Sequence, residues 1–219
     1  MALPAACLFD MDGLLLDTER LFLQVALDLT GPRGLDPDAT TTFFLSLVGS
    51  SSTATRARLI DFLPEDWGID AFYSEWHGAL SQRLEQGVPL KAHVPEVLGA
   101  LQGKGVRMAV VTSTLGARAR HHLTLAGIHD HFEHVLGGDE VTANKPDPAP
   151  YLEAAAILGV QEEECCAFED SDRGIAAAVS AGCRSVQIPD LRPHDVPLPD
   201  LGQLVAPDLR QAMERLGIL

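Results

Sequence analysis

The chain has 219 residues, 46% of them hydrophobic, with 16 Lys+Arg against 31 Asp+Glu and a formal charge of −15. That length and apolar content support a substantial core, exclude a disordered chain and suit one domain carrying a sizeable insertion. The acidic excess repels a phosphate backbone and argues against nucleic acid as a partner, so an anionic ligand has to meet positive groups arranged locally.

In chain order, the first segment, "CLFDMDGLLLD" from Cys7 to Asp17, opens as a buried-strand run and then places Asp10 and Asp12 one residue apart, followed by Gly13. The aspartates interrupt the apolar stretch and no basic flank precedes it, so it reads as neither signal peptide nor membrane span. A soluble cytoplasmic protein without a membrane partner is expected, as a monomer or weak dimer. Residues 17–89 carry no obvious buried-strand run, whereas "TERLFLQVALDL" and "AFYSEWHGALSQRL" have helical periodicity. An inserted helical domain over 17–89 is therefore expected, with 1–16 and 90–219 as the core. The crossings near "LLLDTE" and "EQGVPLKAH" form a hinge that makes closure over a site physically available. Trp76 reads as a helix-core aromatic and His77 as its exposed neighbour.

Beyond residue 89 the short apolar runs "RMAVV", "HVL", "CCAF" and "SVQI" alternate with helix-compatible stretches that end at glycine. This is the βα alternation of an α/β, doubly wound parallel sheet. The tail "APDLRQAMERLGIL" puts Leu209, Met213 and Leu216 on one helical face, so a last helix is expected to dock on the sheet. Among the four cysteines, adjacent Cys165 and Cys166 read as buried, reduced small hydrophobes. His129, His131 and His134 alternate with Ile128, Phe132 and Val135 and match no zinc spacing, so packing is the expectation there.

In open α/β sheets ligands bind beyond the carboxyl ends of the strands. The residues in those places are Asp10 and Asp12, then Thr112, Ser113 and Thr114, then Lys145, then Glu169, Asp170 and Ser171. Carboxylates gathered away from water need a cation, and all-oxygen donors without His or Cys favour a hard ion, with Mg²⁺ expected. Hydroxyls, exposed amides and Lys145 then supply donors for a phosphoryl group. Taken singly, each segment could equally be a capped turn or a solvated acidic pair. Their agreement is what favours a site.

These motifs are ordered as in a known family. "FDMDG", Thr112 in "VVTST", Lys145 in "NKPDPAPY" and "FEDSDRGIAAAVSAG" together resemble the haloacid dehalogenase superfamily, in the subgroup with a helical cap after the first strand. "FDMDGLLLDTER" and "GDEVTANKPDP" look closest to its small-metabolite phosphatases and phosphosugar mutases, the group of pseudouridine-5'-phosphatase, 2-deoxyglucose-6-phosphatase and β-phosphoglucomutase. The resemblance spans nearly the whole chain. It implies a Rossmann-like core with an inserted cap, and a Mg²⁺-dependent phosphatase acting on a small phosphorylated metabolite, a sugar, polyol or nucleoside monophosphate.

By the same resemblance Asp10 attacks phosphorus to form an aspartyl phosphate, and Asp12 protonates the leaving oxygen and later deprotonates water. Mg²⁺ is held by the Asp10 carboxylate, the Asp12 backbone carbonyl and Asp170, with Glu169 bound directly or through water. Thr112 and the amides after Asp10, beginning at Met11, grip the phosphoryl oxygens with Ser113 and Thr114, and Lys145 offsets the charge of the incoming dianion. Gly49 and Ser50, in the cap loop "LVGSSSTATR", are expected to meet the rest of the substrate. The second aspartate separates phosphoryl transfer from dehalogenation. Phosphonate cleavage needs a cap lysine, whereas the basic residues here run as arginines from Arg20 to Arg83, with Lys91 at the return crossing. A mutase alternative is weakened because no charge precedes Arg56 in the cap loop, and Phe22 stands where β-phosphoglucomutase has a histidine. Arg56 or Arg58 would have to substitute. A protein that binds a phosphorylated ligand without turnover is the alternative of another class.

Overall fold

A computed structural model describes residues 3–47, 52–192 and 196–219. Among them the chain runs through β1 (Ala6–Phe9), α1 (Thr18–Thr30), α2 (Pro37–Leu45), α3 (Ser52–Phe62), α4 (Ile69–Glu85) and α5 (Val94–Gly103). It continues through β2 (Arg107–Val111), α6 (Gly116–Leu125), β3 (His134–Leu136), α7 (Ala149–Leu158) and β4 (Cys165–Glu169). It ends with α8 (Asp172–Ser180), β5 (Arg184–Gln187), β6 (Leu204–Val205) and α9 (Leu209–Arg215).

The described strands form one sheet in the order β3-β2-β1-β4-β5-β6, and every neighbouring pair is parallel. The strand β1 is wholly buried and central, with Phe9 opposite Val110 on one side and Phe168 on the other. Phe9 stacks on Phe168 at 5.0 Å between ring centroids and meets Phe132 edge-on at 6.1 Å. From β1 the chain fills the sheet outward through β2 and β3, then returns to the other side with β4. The order therefore reverses at β1, so the residues that follow β1 and β4 flank a topological switch point. Short local signals start the helices around it. Ser171 caps α8 by accepting from the Gly174 amide at 3.0 Å, and Asp208 caps α9 by accepting from Gln211 at 2.8 Å.

Two features differ from the sequence reading. The edge strand β6 was not expected, because it is two residues long and both are exposed, which leaves no apolar run to see. The last helix does bury Leu209, Met213 and Leu216, but α5 is its main helical neighbour, with Arg210 of α9 paired to Glu96 of α5 at 3.2 Å. The free cysteines, Cys7, Cys165, Cys166 and Cys183, are all buried. No described helix is long and apolar enough to cross a membrane.

The chain divides into two units, one of Met1–Asp17, Val88–Asp190 and Leu198–Leu219, the other of Thr18–Gly87 with Leu191–Pro197. The second takes in Leu191–Pro197, which the sequence pattern assigned to the core. In the first unit the two crossings run side by side: Asp17 donates its amide to the Pro89 carbonyl at 2.8 Å and Lys91 to that of Leu15 at 2.9 Å. The second unit has its own core. Trp76 of α4 has no exposed surface, lies 4.0 Å from the Phe22 ring and 4.7 Å from that of Phe44, and donates its indole N–H to the Phe22 carbonyl at 3.2 Å. Trp76→Ala removes both the buried ring and the filled hydrogen bond, and a loss of about 3–5 kcal/mol is expected in urea unfolding followed by circular dichroism.

Candidate active site

The site lies in the first unit and is organised around one ammonium. Lys145 sits in the loop before α7, and its Nζ lies 2.6 Å from Asp10 Oδ1, 2.5 Å from Glu169 Oε1 and 2.8 Å from the Val111 carbonyl. The three protons of the ammonium are thus spent on residues at the ends of β1, β4 and β2. Asp10 and Lys145 are nearly buried and Glu169 wholly so. Burial pulls Lys145 towards losing its proton, but Asp10 and Glu169 outweigh it and hold the ammonium above its ordinary pKa. For Asp10 burial dominates. It pushes the carboxyl up to about 8, against Lys145 and with help from Glu169 and Asp12.

Around this centre the strand ends supply the remaining groups. Glu169 accepts from the Tyr151 hydroxyl at 2.6 Å on Oε1 and from the Ser171 hydroxyl at 3.3 Å on Oε2. Burial, and then Glu169, raise the Tyr151 phenol well above its ordinary value, so it remains a donor. Gly174 makes room for this carboxylate, since a Cβ there would stand 2.0 Å from Glu169 Oε2. Among the described residues Asp10, Glu169 and Asp170 each offer a carboxylate oxygen within 4.8 Å of the others, a group able to hold a cation. Asp12 is half-buried and lies outside that group, with its Oδ2 receiving the Thr114 hydroxyl at 2.8 Å.

The phosphate-binding candidates separate. Thr112 is buried, bonds its amide to the Leu136 carbonyl at 3.0 Å and accepts the Thr114 amide on its hydroxyl at 3.1 Å. Thr114, expected as a donor to phosphate, instead has both donors turned inward, the amide to Thr112 and the hydroxyl to Asp12. Ser113 is exposed, whereas the Met11 side chain is buried, which leaves Met11 only its amide for a ligand. Gly49 and Ser50 lie outside the described residues.

Three site neighbours escaped the sequence reading. Tyr151 stands within the quoted lysine segment, but only the fold turns it towards Glu169. Lys91 pairs with Asp17 at 3.4 Å and with Asp190 Oδ1, and the other Asp190 oxygen is buried without a hydrogen-bond partner. A tight turn joins these groups to the carboxylates of Asp10, Glu169 and Asp170. Gly13 has φ +83°, and a Cβ on it would stand 2.5 Å from Asp170 Oδ2 and 3.5 Å from Asp190 Oδ2.

A family model described as haloacid dehalogenase-like hydrolase matches residues 7–188. Fructose-1-phosphate phosphatase YqaB of Escherichia coli (strain K12) is 32% identical over 185 residues, 84% of this chain and 96% of that protein. Hexitol phosphatase B of the same strain is 28% identical, with 93% of this chain and 96% of that protein covered. Among solved structures, a HAD family hydrolase from Deinococcus radiodurans R1, crystallised with bound phosphate and sodium, superposes with a TM-score of 0.77 at 29% identity. The match covers 100% of this chain and 99% of that one.

The elevated Asp10 makes a prediction for the metal-free protein. The unfolded carboxyl ionises near 3.8 and the folded one near 8, so across that interval the folded state holds a proton that the unfolded state has released. Stability carried by Asp10 therefore falls as pH rises from about 4 to about 8. In chelator, Tm by calorimetry is expected to fall between about pH 6 and about pH 8, and a saturating divalent cation is expected to flatten the fall. A rising Tm in chelator over that range contradicts the raised Asp10.

Proposed function

The chain belongs to the haloacid dehalogenase-like hydrolase family, and on that premise we propose that it is a Mg²⁺-dependent phosphatase of small phosphorylated metabolites, sugar, polyol or nucleoside monophosphates. The observation that carries this reading is the buried Asp10–Lys145–Glu169 cluster at the switch point, with Asp12 held beside it by Thr114. The relatives named for phosphorylated carbohydrates support the substrate class. We propose likewise that the two units are the catalytic core and the helical cap.

The donors fit a hard divalent ion, because they are all oxygen and the buried carboxylates outnumber Lys145. Asp10, Asp170 and the Asp12 backbone carbonyl would hold it. Glu169, with both oxygens already receiving donors, would act through water. When bound, Mg²⁺ offsets the charge of Asp10 and of the phosphoryl oxygens.

In the proposed reaction an Asp10 oxygen attacks phosphorus as the bond to the leaving oxygen breaks, giving an aspartyl phosphate. Asp12 gives its proton to that oxygen, then takes one from the water that cleaves the acyl phosphate and regenerates Asp10. The Met11 amide, the Thr112 hydroxyl and Ser113 hold the phosphoryl oxygens. Lys145 keeps Asp10 oriented and compensates the incoming dianion. Thr114 keeps the Asp12 carboxyl in place for proton transfer.

A mutase would need a free cation in the helical insert for a second phosphate. Arg56 is paired with Asp70 and lies over Tyr73 at 4.3 Å, while Arg58 donates to the Ser46 carbonyl and hydroxyl, both at 2.6 Å. Phe22 packs on Trp76. Hydrolysis is the reading these contacts favour.

Hydrolysis of p-nitrophenyl phosphate is expected with Mg²⁺ and lost in chelator, and Asp10→Asn is expected to lower kcat at least about a thousandfold. No turnover on any monophosphate, or turnover indifferent to Asp10→Asn, sinks the reading and leaves ligand binding without catalysis. Net isomerisation of a hexose phosphate without phosphate release favours the mutase. Thr114→Val should depend on the leaving group. We expect about a tenfold lower kcat/KM, which reports the steps up to loss of the leaving group, on an alkyl phosphate, which needs the acid, and a change under about twofold in kcat/KM on p-nitrophenyl phosphate, which does not.

A further inference from the structure

Asp190 follows β5 and lies in the same unit as the metal cluster, and its side chain is 4% exposed. One oxygen is paired with Lys91, which also reaches Asp17 at 3.4 Å. The other oxygen, Oδ2, is buried with no hydrogen-bond partner, and such an oxygen costs free energy unless something satisfies it. It points to the place that Asp170 also faces. The two Oδ2 atoms stand 3.5 Å and 2.5 Å from a single point above the Gly13 Cα, the position a side chain would fill if residue 13 had one.

The charges lead to the same place. Asp10, Glu169, Asp170 and Asp190 carry four buried carboxylates, against which stand the ammonium groups of Lys145 and Lys91. Two like-charged oxygens facing a shared space, those of Asp170 and Asp190, repel each other and are stabilised by positive charge supplied there. Asp190 does not belong to the group whose oxygens lie within 4.8 Å of one another, so it is not placed to ligate beside Asp10 and Asp170. Mg²⁺ keeps several of its waters, and groups that bond to those waters tune its affinity.

We propose that Asp190 is an outer carboxylate of the metal site, its free oxygen accepting hydrogen bonds from water on the ion, while Lys91 neutralises and orients its other oxygen. The inference rests on the divalent-metal reading above and adds a residue to it. Asp190 is a positioning residue, since it touches neither substrate nor phosphorus. Its signal in the sequence is weak, because an Asp after a strand in "QIPDLRP" is ordinary turn chemistry.

The test is calorimetric titration of Mg²⁺ into the substrate-free protein. Asp190→Asn and Asp190→Ser are each expected to weaken Mg²⁺ binding about tenfold while the metal-free Tm stays close to that of the unaltered protein. Lys91→Gln leaves the carboxylate its charge and is expected to bind Mg²⁺ at least as tightly. Asp170→Asn is expected to abolish binding. If Asp170→Asn binds Mg²⁺ like the unaltered protein, the metal reading itself fails. If Asp170→Asn loses binding while the folded Asp190 variants stay within twofold, the metal reading stands and the role of Asp190 is overturned. It is also overturned if Lys91→Gln weakens binding as much as Asp190→Asn, or if neither Asp190 variant folds without metal. In those cases Asp190 serves only as the partner of Lys91.

Discussion

The buried ammonium of Lys145 is the interaction on which the rest of the site depends. It bonds at once to the residue after β1, the last residue of β4 and the last carbonyl of β2, and so joins three strand ends with one side chain. A lone charge in that place would cost several kcal/mol, as would the carboxylates without it. Breaking any partner leaves the others uncompensated. This mutual dependence gives Asp10 one orientation, which is what the proposed attack on phosphorus requires.

The compensation is incomplete by design of the sheet. Because the strand order reverses at β1, the ends of β1 and β4 lie side by side, and each brings acidic residues. The buried carboxylates outnumber the lysine at their centre, and burial pushes the Asp10 carboxyl up to about 8. The sequence reading assigned charge to Asp10 and the proton to Asp12. The two views describe different states. On the proposed reading, a cation held by Asp10 and Asp170 would favour the ionised Asp10, while the Asp12 carboxyl is turned aside to Thr114.

Glycine at two positions shows how tightly the acids are packed. Gly174 leaves the volume in which the Glu169 carboxylate lies, and Gly13 leaves the volume between Asp170 and Asp190 while taking a positive φ. Both glycines are visible in the motifs "FDMDG" and "SDRGI", but what each makes room for is not. The helical insert, by contrast, is held by ordinary aromatic packing around Trp76, where helical periodicity was a sufficient guide.

By itself the sequence determined the βα alternation of the parallel sheet from β1 to β5 and the helical run that follows β1, and it offered Asp10, Asp12, Thr112, Lys145, Glu169 and Asp170 as the candidate chemical residues. Those features are local: apolar runs, helical spacing, and acidic or hydroxyl residues directly after a strand. The tertiary structure alone decided that Thr114 serves Asp12, that Tyr151 and Ser171 hold Glu169, and that Lys91 and Asp190 stand beside the buried carboxylates. Each of the last pairings joins residues far apart in the chain, Lys91 to Asp190 and Thr114 to Asp12, and no local pattern encodes which distant side chain will satisfy a buried carboxylate. That choice is made only when the parallel strands align and bring their ends to one edge of the sheet.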